Sequence, residues 1–192
     1  ARAIVPLHAT PGRRTLPAPR PPASLMTHAS GALSNRQLNR ATLARQMLLA
    51  RTTVSVPDAV SRLVAMQAQV PRPPFVGLWT RVEGFERSQL TALYAERKVV
   101  RATSLRGTIH VMTAGDFAGL RGAIQPALDR GLRSILKDRL DVLDLAALDK
   151  LARKYFRRPA TFDALRGHLK AALPKGDERA QAYAIRMRVP LV

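Results

Sequence analysis

The sequence predicts a mainly α-helical chain carrying one short β-hairpin, on three observations. Apolar residues recur at helical spacing through most of the chain after residue 34. One stretch, "VVRATSLRGTIHVMT" (Val99 to Thr113), drops that period, is rich in β-branched residues and holds a turn at Arg106-Gly107. Side chains able to cap a helix stand at Ser34, Ser55, Thr113, Thr161 and Asp177, each just ahead of a periodic run.

Residues 1–33 stand apart. "TPGRRTLPAPRPPAS" has no acidic residue and no periodicity, and such a segment buries too little apolar area to offset its ordering entropy. A disordered extension is expected: a basic arm for nucleic acid, a transit-like leader, or, with Met26 as the natural start, an upstream addition.

Order is expected from Ser34. Ser34 and Gln37 have the spacing of a capping box, and Leu38, Ala41, Met47 and Leu48 form a rough stripe through Arg51. Ser55 caps the next helix, with Pro57 and Asp58 in its first turn. Val56, Ala59, Val60, Leu63 and Val64 follow i, i+3, i+4, i+7, i+8, which puts Gln67 next on the buried stripe before Pro71, Pro73 and Pro74 end the helix. A third helix from Pro74 presents Phe75, Leu78, Trp79 and Val82 and breaks at Gly84. A fourth, roughly 87–97, buries Leu90, Leu93 and Tyr94.

Helices followed at once by a hairpin are the plan of a winged helix, a helix-turn-helix unit whose last helix is the recognition candidate and whose hairpin is the wing. Arg101 and Arg106 on that wing are candidate phosphate contacts, against the alternative of a solvated hairpin edge. Thr113 and Asp116 start a connecting helix with a bend expected at Pro126, continuing through Leu128, Leu132, Ile135 and Leu136 to about Leu140. A second set of helices then follows. Leu145, Leu148, Leu151 and Tyr155 mark the first, Phe162, Leu165 and Leu169 the second, Ala180, Tyr183 and Met187 the third. The closing "VPLV" reads as the first strand of a second wing. The expected organisation is a tandem of winged-helix units over 34–113 and 141–192, joined by 114–140, the second incomplete and exposing apolar surface where its wing is missing.

The net charge of +19 comes from 26 Arg and 6 Lys against 13 acidic residues. A chain this basic points to a polyanion, and arginine grips phosphate in a bidentate fork that lysine lacks. A GC-rich genome would also raise arginine over lysine. With no cysteine there is no disulfide, thiolate nucleophile or cysteine zinc site. The four histidines are scattered without metal-ligand spacing, so no metal site is expected. No apolar run approaches a membrane span, so the cytoplasm is the default location expected.

Gln67 and Gln69 are the odd residues. A buried amide without partners costs roughly 1–3 kcal/mol, so Gln67 bonds backbone at the helix end, faces water or lines a cleft. In extended chain the pair would project to one side, where an amide carbonyl can orient a water and its dipole can stabilise a cationic sugar.

"LNRATLARQMLL", "AVSRLVAMQAQVPRPPFVGLWTRVEGF" and "VVRATSLRGTIHVMT" together resemble the winged-helix DNA-binding family that includes AlkZ-type and YcaQ-type DNA glycosylases. The resemblance runs from about residue 38 to 192 and is densest over 56–113. It implies tandem winged helices forming a basic clamp on double-stranded DNA. It also implies hydrolysis of the bond between sugar and an alkylated purine, including purines in interstrand crosslinks, with no metal or cofactor. The family motif Gln-apolar-Gln is matched by Gln67-Ala68-Gln69. By carry-over Gln69 would position the attacking water, and Gln67 would help hold that water or the oxocarbenium-like sugar. Thr108 and His110 fit the recurrent "RGTxH" block, where a packed, hydrogen-bonded His110 is expected. With no third winged helix and no second wing, the chain reads as an incomplete member. Three functions therefore stand side by side: a monofunctional glycosylase, a non-catalytic DNA-binding protein or regulator, and an inactive fragment.

Overall fold

The structure, a computed structural model, describes residues 32–174 and 176–192. All but the last two residues of the expected extension over 1–33 lie outside the described residues. The rest is mainly helical, with one small antiparallel sheet.

Helix α1 (Asn35–Arg45) starts where its capping box requires. Ser34 Oγ accepts from the Gln37 amide at 3.3 Å, and Gln37 Oε1 accepts from the Ser34 amide at 2.8 Å. Its expected stripe, however, is not buried. Leu38 is exposed, and Arg45 occupies the position two turns on, so no continuous apolar face forms; only Met47, past the helix end, reaches the core. Helix α2 (Val56–Arg62) is capped by Ser55 Oγ on the Asp58 amide. It stops well short of Gln67. Val64 takes a left-handed φ of 64°, which turns the chain into strand β1 (Met66–Gln67). A β-branched residue in that region costs roughly 1–2 kcal/mol, so a local conformation overrides a periodicity that Leu63 and Val64 merely continued. Gln67 is a strand residue, not a helix-stripe residue.

Helix α3 (Pro73–Trp79) buries Pro74 and Leu78, but Trp79 is not on the buried face as expected. Its ring is 56% exposed and takes the Arg51 guanidinium at 4.5 Å. Helix α4 (Arg87–Ala95) buries Leu90 and Leu93. The hairpin is as expected: β2 (Val99–Thr103) and β3 (Ile109–Thr113) pair antiparallel, with Arg106 (φ 56°) and Gly107 (φ 70°) left-handed in the turn. β1 joins the free side of β3 in register Met66↔Val111 and Gln67↔His110, giving the order β1-β3-β2.

The sheet has two apolar faces. Val99 and Val111 pack with Val56, Ala59, Val60, Leu78 and Leu90. Val100, Ala102 and Met112 pack on Phe117, with Val192 beside them. Fully burying one of the larger of these side chains, Val, Leu, Met or Phe, stabilises the fold by roughly 1.5–3 kcal/mol.

Phe117 belongs to α5 (Ala114–Leu136), capped by Thr113 on the Asp116 amide and continuous through Pro126, where a bend was expected. A short 3-10 turn over 137–140 leads to α6 (Leu145–Tyr155), α7 (Phe162–Ala172) and α8 (Glu178–Arg188). Asp144, Thr161 and Asp177 cap the three. Leu128, Leu132 and Leu136 of α5 pack with Leu148, Phe156, Leu165, Leu169 and Ile185 as a second core. The apolar end of the chain is not the exposed surface expected of it: Val189 and Leu191 are buried in that core. A polar latch fixes α8 to α5. The Met187 carbonyl accepts from Arg121 Nη2 at 2.9 Å and Gln125 Nε2 at 3.3 Å, and Arg121 Nη1 donates to Gln125 Oε1. Burial lowers the Arg121 pKa, with Asp129 pulling the other way.

Candidate functional site

The Gln67-Ala68-Gln69 segment leaves β1 at the end of the ladder with β3. The Ala68 amide donates to the Ile109 carbonyl at 2.7 Å, and Ala68 is fully buried. Strand alternation then turns Gln67 and Gln69 away from the core, and both are exposed. Gln69 extends the ladder with its own side chain: its Oε1 accepts from the Ile109 amide at 3.2 Å. That donor fixes which end of the amide is oxygen. One further lone pair and two N–H donors remain for water or a ligand.

The two glutamines open onto different cavities. Gln69 lines one of about 440 Å³ between the hairpin turn, α5 and α8, with Arg106, Thr108, Tyr183, Arg186 and Met187 among its walls. Gln67 lines one of about 230 Å³ with Gln46, Pro73, Pro74 and Arg81. Arg81 Nε donates to the Gln46 carbonyl and Arg81 Nη1 to the Gly77 carbonyl, both at 2.8 Å, and burial lowers its pKa. The pair therefore shares a backbone segment rather than one pocket.

The larger cavity is lined by apolar Ile109, Ala127, Ile135 and Met187, of which only Met187 is buried, together with polar side chains. No acidic residue lines it; two arginines do. Arg106 is exposed on the turn. The Arg186 guanidinium lies 4.6 Å from the Phe162 ring centre. The Tyr183 hydroxyl is pushed up by burial, with Arg186 opposing. Tyr183 and Arg186 have no sequence signal as site residues, because only the docking of α8 on α5 places them in the wall of the cavity that Gln69 also lines.

Arg101, one of the two wing arginines, has partners within the chain. It donates from Nε to the Ala68 carbonyl at 2.9 Å and from Nη2 to the Gln69 carbonyl at 3.1 Å.

His110 is buried, and its Nδ1 lies 3.0 Å from the Thr108 carbonyl. Neutral imidazole satisfies that contact by donating Nδ1–H. Burial lowers its pKa below 6.5; the Thr108 bond opposes this and Arg106 adds to it. A base whose folded pKa is depressed stabilises the fold above its unfolded pKa, and that stability is lost as pH falls below it. Denaturant unfolding of the wild type is expected to show stability declining below about pH 6.5, ahead of the carboxylate range near 4. His110→Phe should remove that segment of the profile. An unchanged slope in the variant would exclude His110 as its source.

Among the described residues no group of three or more His, Asp or Glu could hold a metal ion, and no helix is long and apolar enough to cross a membrane. Compared with known proteins, residues 60–192, more than half of the chain, match the family model described as DNA glycosylase AlkZ-like. No curated protein and no solved structure matches the chain.

Proposed function

We propose, from the premise that the chain belongs to the AlkZ-like DNA glycosylase family, that it hydrolyses the bond between deoxyribose and an alkylated purine in double-stranded DNA. The observation that carries this reading is the Gln69 amide, its oxygen fixed by the Ile109 N–H, at the edge of a cavity rimmed by arginine. A purine alkylated at N7 is cationic. Its glycosidic bond breaks with the electron pair moving to the base, so the base leaves neutral and needs little proton donation. A water then adds to the sugar carbon and loses its proton to solvent. In this reading Gln69 orients that water, and Gln67, two residues earlier on the same side of the strand but at the mouth of the smaller cavity, supports the electron-poor sugar through its carbonyl dipole once DNA spans the two openings. Purines in interstrand crosslinks present the same chemistry and are included in the proposed substrates. Neither step draws on a metal or a cofactor.

The order α2–β1–α3–α4–β2–β3, with β3 central, supports a winged-helix unit over 34–113 in which α4 is the recognition helix and β2–β3 the wing. Helices α6, α7 and α8 repeat its helical part over 141–192, with 114–140 as the connector. Arg106, on the wing tip, is the proposed phosphate contact. Such a protein would work on nucleoid DNA in the cytoplasm.

The test is release of N7-methylguanine from a methylated duplex by the wild-type chain. Release in excess of the spontaneous rate is expected. Duplex binding that weakens steeply with salt, with no release, would instead favour the second reading, a non-catalytic DNA-binding protein, which the charge of +19 supports by itself.

A further inference from the structure

We propose that Arg101 is a positioning residue, a two-pronged clamp that holds the Gln67–Gln69 segment in its working conformation; the inference rests on the glycosylase reading only for its effect on rate. Three observations carry it. First, Nε and Nη2 of one planar guanidinium reach two successive carbonyls, Ala68 at 2.9 Å and Gln69 at 3.1 Å. A guanidinium presents adjacent N–H donors in a rigid fork, so the two bonds fix the relative orientation of the two peptide units that flank Gln69, 68–69 and 69–70, which no single donor could do. Second, the clamp crosses the sheet. Arg101 sits on β2 opposite Val111 of the central β3, whereas the carbonyls it holds lie beyond the end of β1 on the far side of β3. Third, the segment has few other restraints. The ladder of β1 ends at Gln67, and past it only the Ala68 amide and the Gln69 side chain bond to β3, both at Ile109. Without Arg101 the carbonyls of Ala68 and Gln69 lose these partners, and the backbone that carries the Gln69 amide is held at Ile109 alone.

A phosphate contact and a clamp make opposite forecasts. An arginine on DNA contributes to affinity and to the salt slope, roughly one released counterion per phosphate. An arginine committed to carbonyls contributes to neither, yet displacing a reacting group by about 1 Å can cost on the order of 100-fold in rate.

Arg101→Met and Arg101→Lys are compared with the wild type in the full chain. The readouts are single-turnover release of N7-methylguanine, duplex Kd against salt, and hydrogen exchange at the Ala68 amide. Arg101→Met is expected to slow base release by roughly 10- to 100-fold, with Kd and salt slope unchanged and faster Ala68 exchange. Arg101→Lys, keeping a single donor nitrogen in place of the fork, should recover part of the rate and serves if the methionine variant fails to fold. A shallower salt slope, or unaltered release and exchange, would overturn the clamp. If the wild type releases no base, the glycosylase reading fails on its own, and Ala68 exchange still decides whether Arg101 holds the segment.

Discussion

Gln69→Ala is expected to slow release of N7-methylguanine by roughly 100- to 1,000-fold, the range seen when one preorganised polar group at a reacting centre is removed. The size of the effect follows from how the amide is held. Its oxygen is already oriented by the Ile109 amide at 3.2 Å, so no reorganisation is needed when charge develops on the sugar. Alanine loses that group and also leaves the Ile109 donor to water, which costs roughly 1 kcal/mol of stability at an exposed site. That cost lowers Tm by only about 2–4 °C in a chain of this length, so the variant stays folded at 25 °C and its rate can be read. Duplex affinity should not change, because a neutral amide releases no counterion. Release by the alanine variant at the wild-type rate would exclude Gln69 from the chemistry.

Arg121→Ala should give the largest loss of stability among the polar substitutions, roughly 2–4 kcal/mol. The side chain is 7% exposed and donates to the Met187 carbonyl at the end of α8. Alanine removes that bond and the one to Gln125 and leaves a void between α5 and α8. Arg121→Met should cost less, because it fills the space and removes a guanidinium whose Nε has no partner and whose charge is disfavoured by burial. Urea unfolding of the two variants tests this. Equal losses would mean that packing contributes nothing at the latch. A methionine variant less stable than the alanine one would contradict the desolvation argument.

Local signals were the legible part of this fold. Ser34, Ser55, Thr113, Thr161 and Asp177 each cap the helix assigned to them, because a cap needs only a side chain and an amide two or three residues away. The hairpin was readable from Arg106-Gly107 for the same reason. Asp144 was overlooked although it stands directly before the Leu145–Leu148 run and caps α6. Other features had no local signature. Periodicity carried α2 past Arg62, since nothing about Val64 announces a left-handed φ. Trp79 reads as core, yet its ring is covered on one side by an arginine 28 positions earlier. The Gln-Ala-Gln spacing marked the candidate site, but the partners of that segment lie far along the chain: Arg101 at 33 and 32 residues, Ile109 at 40. An arginine's sequence neighbours do not say whether it will meet phosphate or carbonyl.

Those separations govern the order in which the molecule is built. Helices close on contacts a few residues apart, whereas holding Gln69 requires loops of 30 to 40 residues to close first, and the Met187 latch spans 66. Long-range contacts form late because the entropy of loop closure precedes any stabilisation they return. During refolding, far-ultraviolet ellipticity should therefore recover before the larger cavity exists. A newly made chain would be mostly helical for some time before its glutamines are set.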